Sequence, residues 1–166
     1  FGIKNAGLAF PESNCVVMVG VENRKIFHKH ELMHILSIRK WGRAKAPSSW
    51  LQEGLATYAD SLCNGFTVHE VSASLMHLKM LPKLELLINQ FDSIPDIPAY
   101  LHAASVTQYF IEKYGWAKYE QLWKLGVPGF RKITKKSVRT FDKEYRAYLK
   151  KMYPINPPVN WVLLSN

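Results

Sequence analysis

The chain has only two cysteines, Cys15 and Cys63, in 166 residues. Two are too few for a disulfide framework, and neither sits in a C-x-x-C pair. They are compatible with one bridge or with two buried thiols, and the count fixes no redox compartment. No run approaches the ~18 consecutive apolar residues of a membrane-spanning helix. Internal repeats and low-complexity tracts are lacking. Acidic residues are scarce, 13 against 22 Lys and Arg, for a net charge of +9. The chain opens on Phe1-Gly2 without an initiating Met. It is read as a fragment of a longer protein, so the lack of a targeting segment says nothing about location.

What remains is rich in apolar residues. Hydrophobic side chains make up 48% of the chain, with five Trp, eight Tyr and eight Phe. That supports a sizeable core at a one-domain length and argues against disorder. The positive charge invites a nucleic-acid reading, but residues 131–151 alone hold a net +7 of it. Val138, Phe141, Tyr145, Tyr148, Leu149 and Met152 recur there at helical spacing, which predicts an amphipathic helix with a solvated basic face. A surface that docks acidic partners is the alternative. No nucleic-acid partner is expected.

The chemistry is concentrated in residues 28–58. His30-Glu31-Leu32-Met33-His34 is followed, after a short basic loop, by Trp50-Leu51-Gln52-Glu53-Gly54-Leu55-Ala56. Histidines four apart share one face of a helix, so both imidazoles can reach one Zn²⁺. Glu31 is placed to act on a water beside that ion. A catalytic zinc usually takes three protein ligands, and Glu53, 19 positions after His34, is the candidate third. Arg24 to Lys40 reads as the first helix, with Ile26, Phe27, Met33, Ile35, Leu36 and Ile38 as its apolar surface. Ser49-Trp50-Leu51-Gln52 is a capping-box pattern that predicts a second helix start. Glu53 then lies in the first turns of that helix. Thr57 and Asp60, one and two turns on, are candidates for orienting a ligand histidine.

His-Glu-x-x-His, 18 residues, then Glu within W-L-x-E-G-x-A resembles the pattern of gluzincin metallopeptidases. It is most similar to the aminopeptidase-N-like branch and its smaller peptidase-MA-like relatives. The resemblance implies a zincin-like catalytic domain with His30, His34 and Glu53 as zinc ligands and Glu31 as general base. It extends to Ala99–Gly115, which resembles the later helix of those families. Tyr100 there stands where a Tyr steadies the tetrahedral intermediate. Ala103 and His102 replace the Gly and Lys of that segment, and Tyr109 is an alternative further along.

Ala6–Phe10 and Cys15–Val21 predict an antiparallel hairpin around the turn Pro11-Glu12-Ser13-Asn14. One strand is a candidate substrate-binding edge. In the aminopeptidase-N-like branch a G-x-M-E-N motif leads into that strand, and its Glu holds the free amine of the substrate. Phe1-Gly2-Ile3-Lys4-Asn5 occupies the place, with Lys4 at the Glu position. A cation there repels an α-amine, so the expectation is an endopeptidase, or an enzyme reading acidic residues, ahead of an aminopeptidase.

After the second helix, Asn64-Gly65 reads as a C-cap. Thr67–Met80 and Pro82–Gln90 read as helices, Phe91–Pro98 as a loop, and Ala99–Tyr114 as a helix opened by Pro98 and ended by Gly115. His69 and His77 are taken as surface or packing residues. The fold class expected is α+β, mostly helical, with a small N-terminal antiparallel sheet cut short at its start. The division expected within one domain is 1–24 for the hairpin, 25–64 for the zinc-site helix pair, 65–152 for a helical subdomain and 153–166 for an extended tail. The function expected is zinc-dependent hydrolysis of peptide or protein substrates. The rival from another class is a catalytically silent binding module that docks an acidic partner through its basic C-terminal helix.

Overall fold

Small side chains let a long helix run through the centre of the molecule. This is α5, Asp96–Tyr114, in which Ala99, Ala103, Ala104, Ser105 and Thr107 are buried. The computed structural model describes residues 7–18, 29–60, 62–63 and 65–162. In chain order it holds β1 (Gly7–Phe10), β2 (Cys15–Met18), α1 (Lys29–Trp41), α2 (Ser49–Asp60), β3 (Leu62–Cys63), β4 (Phe66–Thr67) and α3 (Val68–His77). There follow α4 (Leu84–Asn89), a 3₁₀ turn at Phe91–Ser93, α5, α6 (Trp116–Leu125), α7 (Val127–Thr134) and α8 (Val138–Met152). The fold is therefore mostly helical α+β, with a small two-stranded antiparallel sheet at its N-terminal side.

α2 packs against α5 more extensively than any other pair of elements. The close approach depends on Gly54. A Cβ added there would lie 2.8 Å from both the Ala103 carbonyl oxygen and Thr107 Oγ1. Trp50, Leu51, Leu55, Leu101, Val106 and Phe110, at most 1% exposed, fill the surrounding core. On the other side of α5, α8 presents Phe141, Tyr145 and Leu149, all fully buried, and leaves its basic face in solvent.

α6 fixes the connection between α1 and α2. Trp123 Nε1 donates to the Gly42 carbonyl at 2.8 Å, the Lys45 amide donates to the Trp123 carbonyl at 2.9 Å, and the Tyr119 hydroxyl donates to the Leu51 carbonyl at 3.1 Å. Trp41 packs its ring on Trp123, Tyr119 and Trp116.

The predicted hairpin forms with Gly7 opposite Met18 and Phe10 opposite Cys15. Its turn uses Asn14 at φ +50°, a left-handed conformation that Asn tolerates better than most residues. Ala6 and residues 19–28, which include the predicted start of the first helix, lie outside the described residues. So does the end of the tail after Val162.

Four local expectations are corrected. The Gln52 side chain donates to Ser48 Oγ at 2.9 Å, so the polar contact at the start of α2 is made one residue before Ser49. Gly65, at φ +88°, turns a two-residue hairpin between β3 and β4 and does not cap α2, which ends at Asp60. The stretch Phe91–Pro98 is not all loop, because α5 opens at Asp96, ahead of Pro98. The 3₁₀ turn and α5 start are compatible with proline because a first helical turn needs no amide donor. The basic stretch is shared by α7 and α8, broken at Lys135 in a left-handed conformation.

Candidate metal centre

α1 presents His30 and His34 one turn apart, with ring centroids separated by 4.9 Å and planes inclined at 79°. Both turn Nε2 toward Glu53 on α2. His30 Nε2 is 3.1 Å from Glu53 Oε2, His34 Nε2 is 3.4 Å from the same oxygen, and the two nitrogens are 3.2 Å apart. In a tetrahedral site with zinc–ligand bonds of about 2.0–2.1 Å, ligand atoms stand about 3.3 Å from one another. The three donors therefore already outline one face of such a tetrahedron. Two imidazoles and one carboxylate are also the donor set of a catalytic zinc site with an open position. Among the described residues this is the one group of three or more His, Cys, Asp or Glu able to converge on an ion.

Asp60 and Thr57 approach His30 from behind. Asp60 Oδ1 accepts the His30 backbone N–H at 3.2 Å, and its Oδ2 lies 3.7 Å from His30 Nδ1. Thr57 Oγ1 is 3.5 Å from the same nitrogen. A proton on Nδ1 is thus favoured, and in the neutral ring Nε2 turns its lone pair toward the cluster. Burial alone would lower the His30 pKa. Hydrogen bonds to Asp60 and Glu53, with the charge of both carboxylates, outweigh it and hold the pKa up at about 9. Burial likewise works to raise Glu53, but hydrogen bonds from His30 and His34 bring it down to about 2. The cluster is short of positive charge and holds a proton where a cation would relieve it.

The three residues open onto a cleft of about 570 Å³ shared with Glu31, Tyr100, Asp96, Arg43 and β1. Glu31 follows His30 directly and lies against Gly7 of β1. A Cβ added at Gly7 would fall 2.8 Å from Glu31 Cγ. From α5, the Tyr100 ring stacks beside His30 with centroids 6.3 Å apart. Burial, then the charge of Glu53 and of Asp96, Asp92 and Glu31, push the Tyr100 phenol up to about 12. It stays protonated at neutral pH and can donate a hydrogen bond into the cleft.

No protein-family model, curated protein or solved structure matches this chain.

His30, Glu31, His34, Glu53 and Tyr100 are brought together on one cleft, with Asp60 and Thr57 behind His30. Tyr109 is not among them. It is buried against Phe141, Tyr145 and Tyr148, and its hydroxyl accepts from Lys113 Nζ at 2.9 Å. Lys4 and the rest of Phe1–Asn5 lie outside the described residues. His69 is buried with Nδ1 2.6 Å from Ser105 Oγ, and His77 Nε2 donates to the Tyr153 carbonyl at 3.0 Å. Cys15, exposed, and Cys63, buried, are both free thiols.

Sequence reasoning missed Asp96, Arg43, Gln52 and Gly7 as cleft residues. The loop expected over Phe91–Pro98 takes in Asp96, and an acidic residue at a helix start is the signal that could have found it. A second concavity, of about 740 Å³, lies between α3, α4 and α8 and is lined by Lys79, Lys83, Arg139, Lys143 and Arg146 with Glu85 and Asp142.

Proposed function

We propose that this chain is a zinc-dependent peptidase domain of gluzincin type, cutting within peptides. The observation that carries the reading is the triangle of His30 Nε2, His34 Nε2 and Glu53 Oε2, with edges of 3.1, 3.2 and 3.4 Å. Zinc held there supplies Lewis acidity toward a carbonyl oxygen and a lowered pKa for water. Glu31 takes the proton of the attacking water and delivers it to the leaving amine nitrogen. Tyr100 donates a hydrogen bond to the carbonyl oxygen as negative charge grows on it. Asp60 and Thr57 keep the His30 ring in the tautomer that leaves Nε2 free. β1 borders the cleft and offers backbone hydrogen bonds to an extended peptide.

One observation favours a second reading. The basic concavity beside α8 fits an acidic partner, as a binding module without catalysis would require. Elemental analysis and a digest of blocked peptides separate the two. Purified protein is expected to carry about one zinc per chain, and His34→Ala and Glu53→Ala to lose it. Glu31→Gln keeps the metal and the fold, while hydrolysis falls by ~10²-fold or more. Full zinc retention in both ligand variants, or undiminished cleavage by Glu31→Gln, removes the assignment.

A further inference from the structure

β1 and α1 lie side by side and run the same way. At one end Gly7 rests on Glu31; at the other, Glu12 in the hairpin turn makes an ion pair with Arg43, just past the end of α1. From Glu31 to Arg43 a helix rising 1.5 Å per residue covers about 18 Å. The extended part of the strand, Gly7 to Phe10, covers about 10 Å, and the turn residue Glu12 reaches the rest of the way through its ion pair with Arg43. The two contacts, one at each end, set the strand alongside the helix from the metal centre toward Arg43. Gly7, Leu8, Ala9 and Pro11 line the cleft from the strand side, and His34, Ile38 and Arg43 from the helix side.

The groove so formed is electrically polar. Glu31, Glu53, Asp60 and Asp96 are at its metal end, while Arg43 is the one Lys or Arg lining it among the described residues. Around Arg43 the sequence adds Arg39, Lys40 and Lys45, with no Asp or Glu anywhere from residue 32 to 52. The partner Arg43 does have is easily exchanged. Both side chains of the Glu12–Arg43 pair are exposed, at 77% and 71%, and exposed pairs of that kind add little to stability.

We propose that Arg43 reads a carboxylate of the bound peptide, displacing Glu12. The side of the cut follows from strand direction. A peptide joining the free edge of β1 pairs more stably antiparallel, so its N-terminal half points toward Arg43. From His34 to Arg43 is about 14 Å of helix, or roughly four residues of extended peptide. The arginine side chain reaches back along the groove, so the carboxylate read is that of an Asp or Glu three or four positions before the cleaved bond. A guanidinium meets such a carboxylate through two parallel hydrogen bonds. The position relative to the cut rests on the peptidase reading; the polarity of the groove does not.

Two measurements test it. In the first, a library of blocked peptides is digested by the zinc-loaded chain and by Arg43→Glu, and the cuts are read by mass spectrometry. Asp and Glu are expected to be enriched three or four positions N-terminal to the cut, and Arg43→Glu to replace them with Lys and Arg. In the second, labelled blocked peptides with Glu or Lys are titrated against the chain by fluorescence polarisation. The acidic peptide should bind about tenfold more tightly, from one charge-assisted contact. Arg43→Glu should abolish the difference, while Lys150→Glu, an equal change of net charge on the exposed face of α8, should leave it. Cleavage without acidic enrichment, or an enrichment on the C-terminal side, overturns the proposal and leaves the peptidase reading standing. An uncut library with an Arg43-dependent binding preference keeps the acid reading and removes the peptidase. Equal binding of both peptides, or a preference lost equally in Lys150→Glu, overturns the acid reading itself.

Discussion

Glu31 lies against the α-carbon of Gly7, where one added carbon would come within 2.8 Å of Glu31 Cγ. That atom is in the middle of the side chain, so it cannot move aside without carrying the carboxylate with it. Gly7→Ala is accordingly expected to displace the base while leaving both ligand helices in place. Hydrolysis should fall at least tenfold with zinc content and melting temperature nearly unchanged, a pattern read from kinetics, elemental analysis and thermal denaturation together. If the alanine variant cuts normally, Glu31 does not act from the position it holds against β1. Nothing in the sequence points to this contact. H-E-x-x-H made the shared placement of His30, Glu31 and His34 on one cleft legible because four-residue spacing is local. The strand that shapes Glu31 comes from a different part of the chain.

At the scale of elements, Gly54 shows the same limit from the other side. It was legible as one letter of W-L-x-E-G-x-A, but its physical reason is the backbone of α5, about fifty residues later, lying against it. Gly54→Ala overpacks that crossing and should destabilise the chain by about 1–3 kcal/mol, seen as a lower urea midpoint. It should also move Glu53 away from Tyr100. A midpoint that stays put would mean that α2 and α5 can part freely there. Periodicity made α8 legible, and Gly115 ends α5 as predicted. Boundaries failed where two local signals competed. Ser48 and Ser49 are adjacent and both suit a cap; packing brought the Gln52 side chain to Ser48. Pro98 looked like a helix start, yet Asp96 two residues earlier begins the turn. Asn64-Gly65 is as good a hairpin signal as a helix terminator, and only the pairing of Cys63 with Phe66 distinguishes them.

The whole molecule should respond to acid in a way set by histidines remote from the metal centre. His102 is fully buried on α5 and stacks on Tyr145 at 5.7 Å. Burial, with the charge of Arg146, pushes it down to about 3. An unfolded chain takes up that proton near pH 6.5 and the folded one does not. Stability is therefore full above pH 6.5 and falls as pH drops toward 3, with a slope approaching about 1.4 kcal/mol per pH unit for this group. His69 is pushed down by burial too and adds in the same direction. His30 is shifted the opposite way, so its contribution is constant below pH 6.5 and fades only as pH rises toward 9. Urea titrations between pH 6.5 and 5 read the combined slope, and His102→Leu should remove its share of it. A slope unaltered by that substitution would show that His102 is reached by protons in the folded state.

The connection between α1 and α2, residues 42–48, is sewn to α6 at two points, through the Gly42 carbonyl and the Lys45 amide. A hinge works by spending loose backbone angles, and the stretch from Gly42 to Lys45 is pinned at each of its ends. α1 and α2 are therefore braced against one another, and a cation held by His30, His34 and Glu53, as proposed, would meet a finished socket. The ordering entropy of the ligands is lost when the chain folds, long before any cation arrives. On the proposed reading, capture would exchange protons and water for the ion with little movement of the polypeptide.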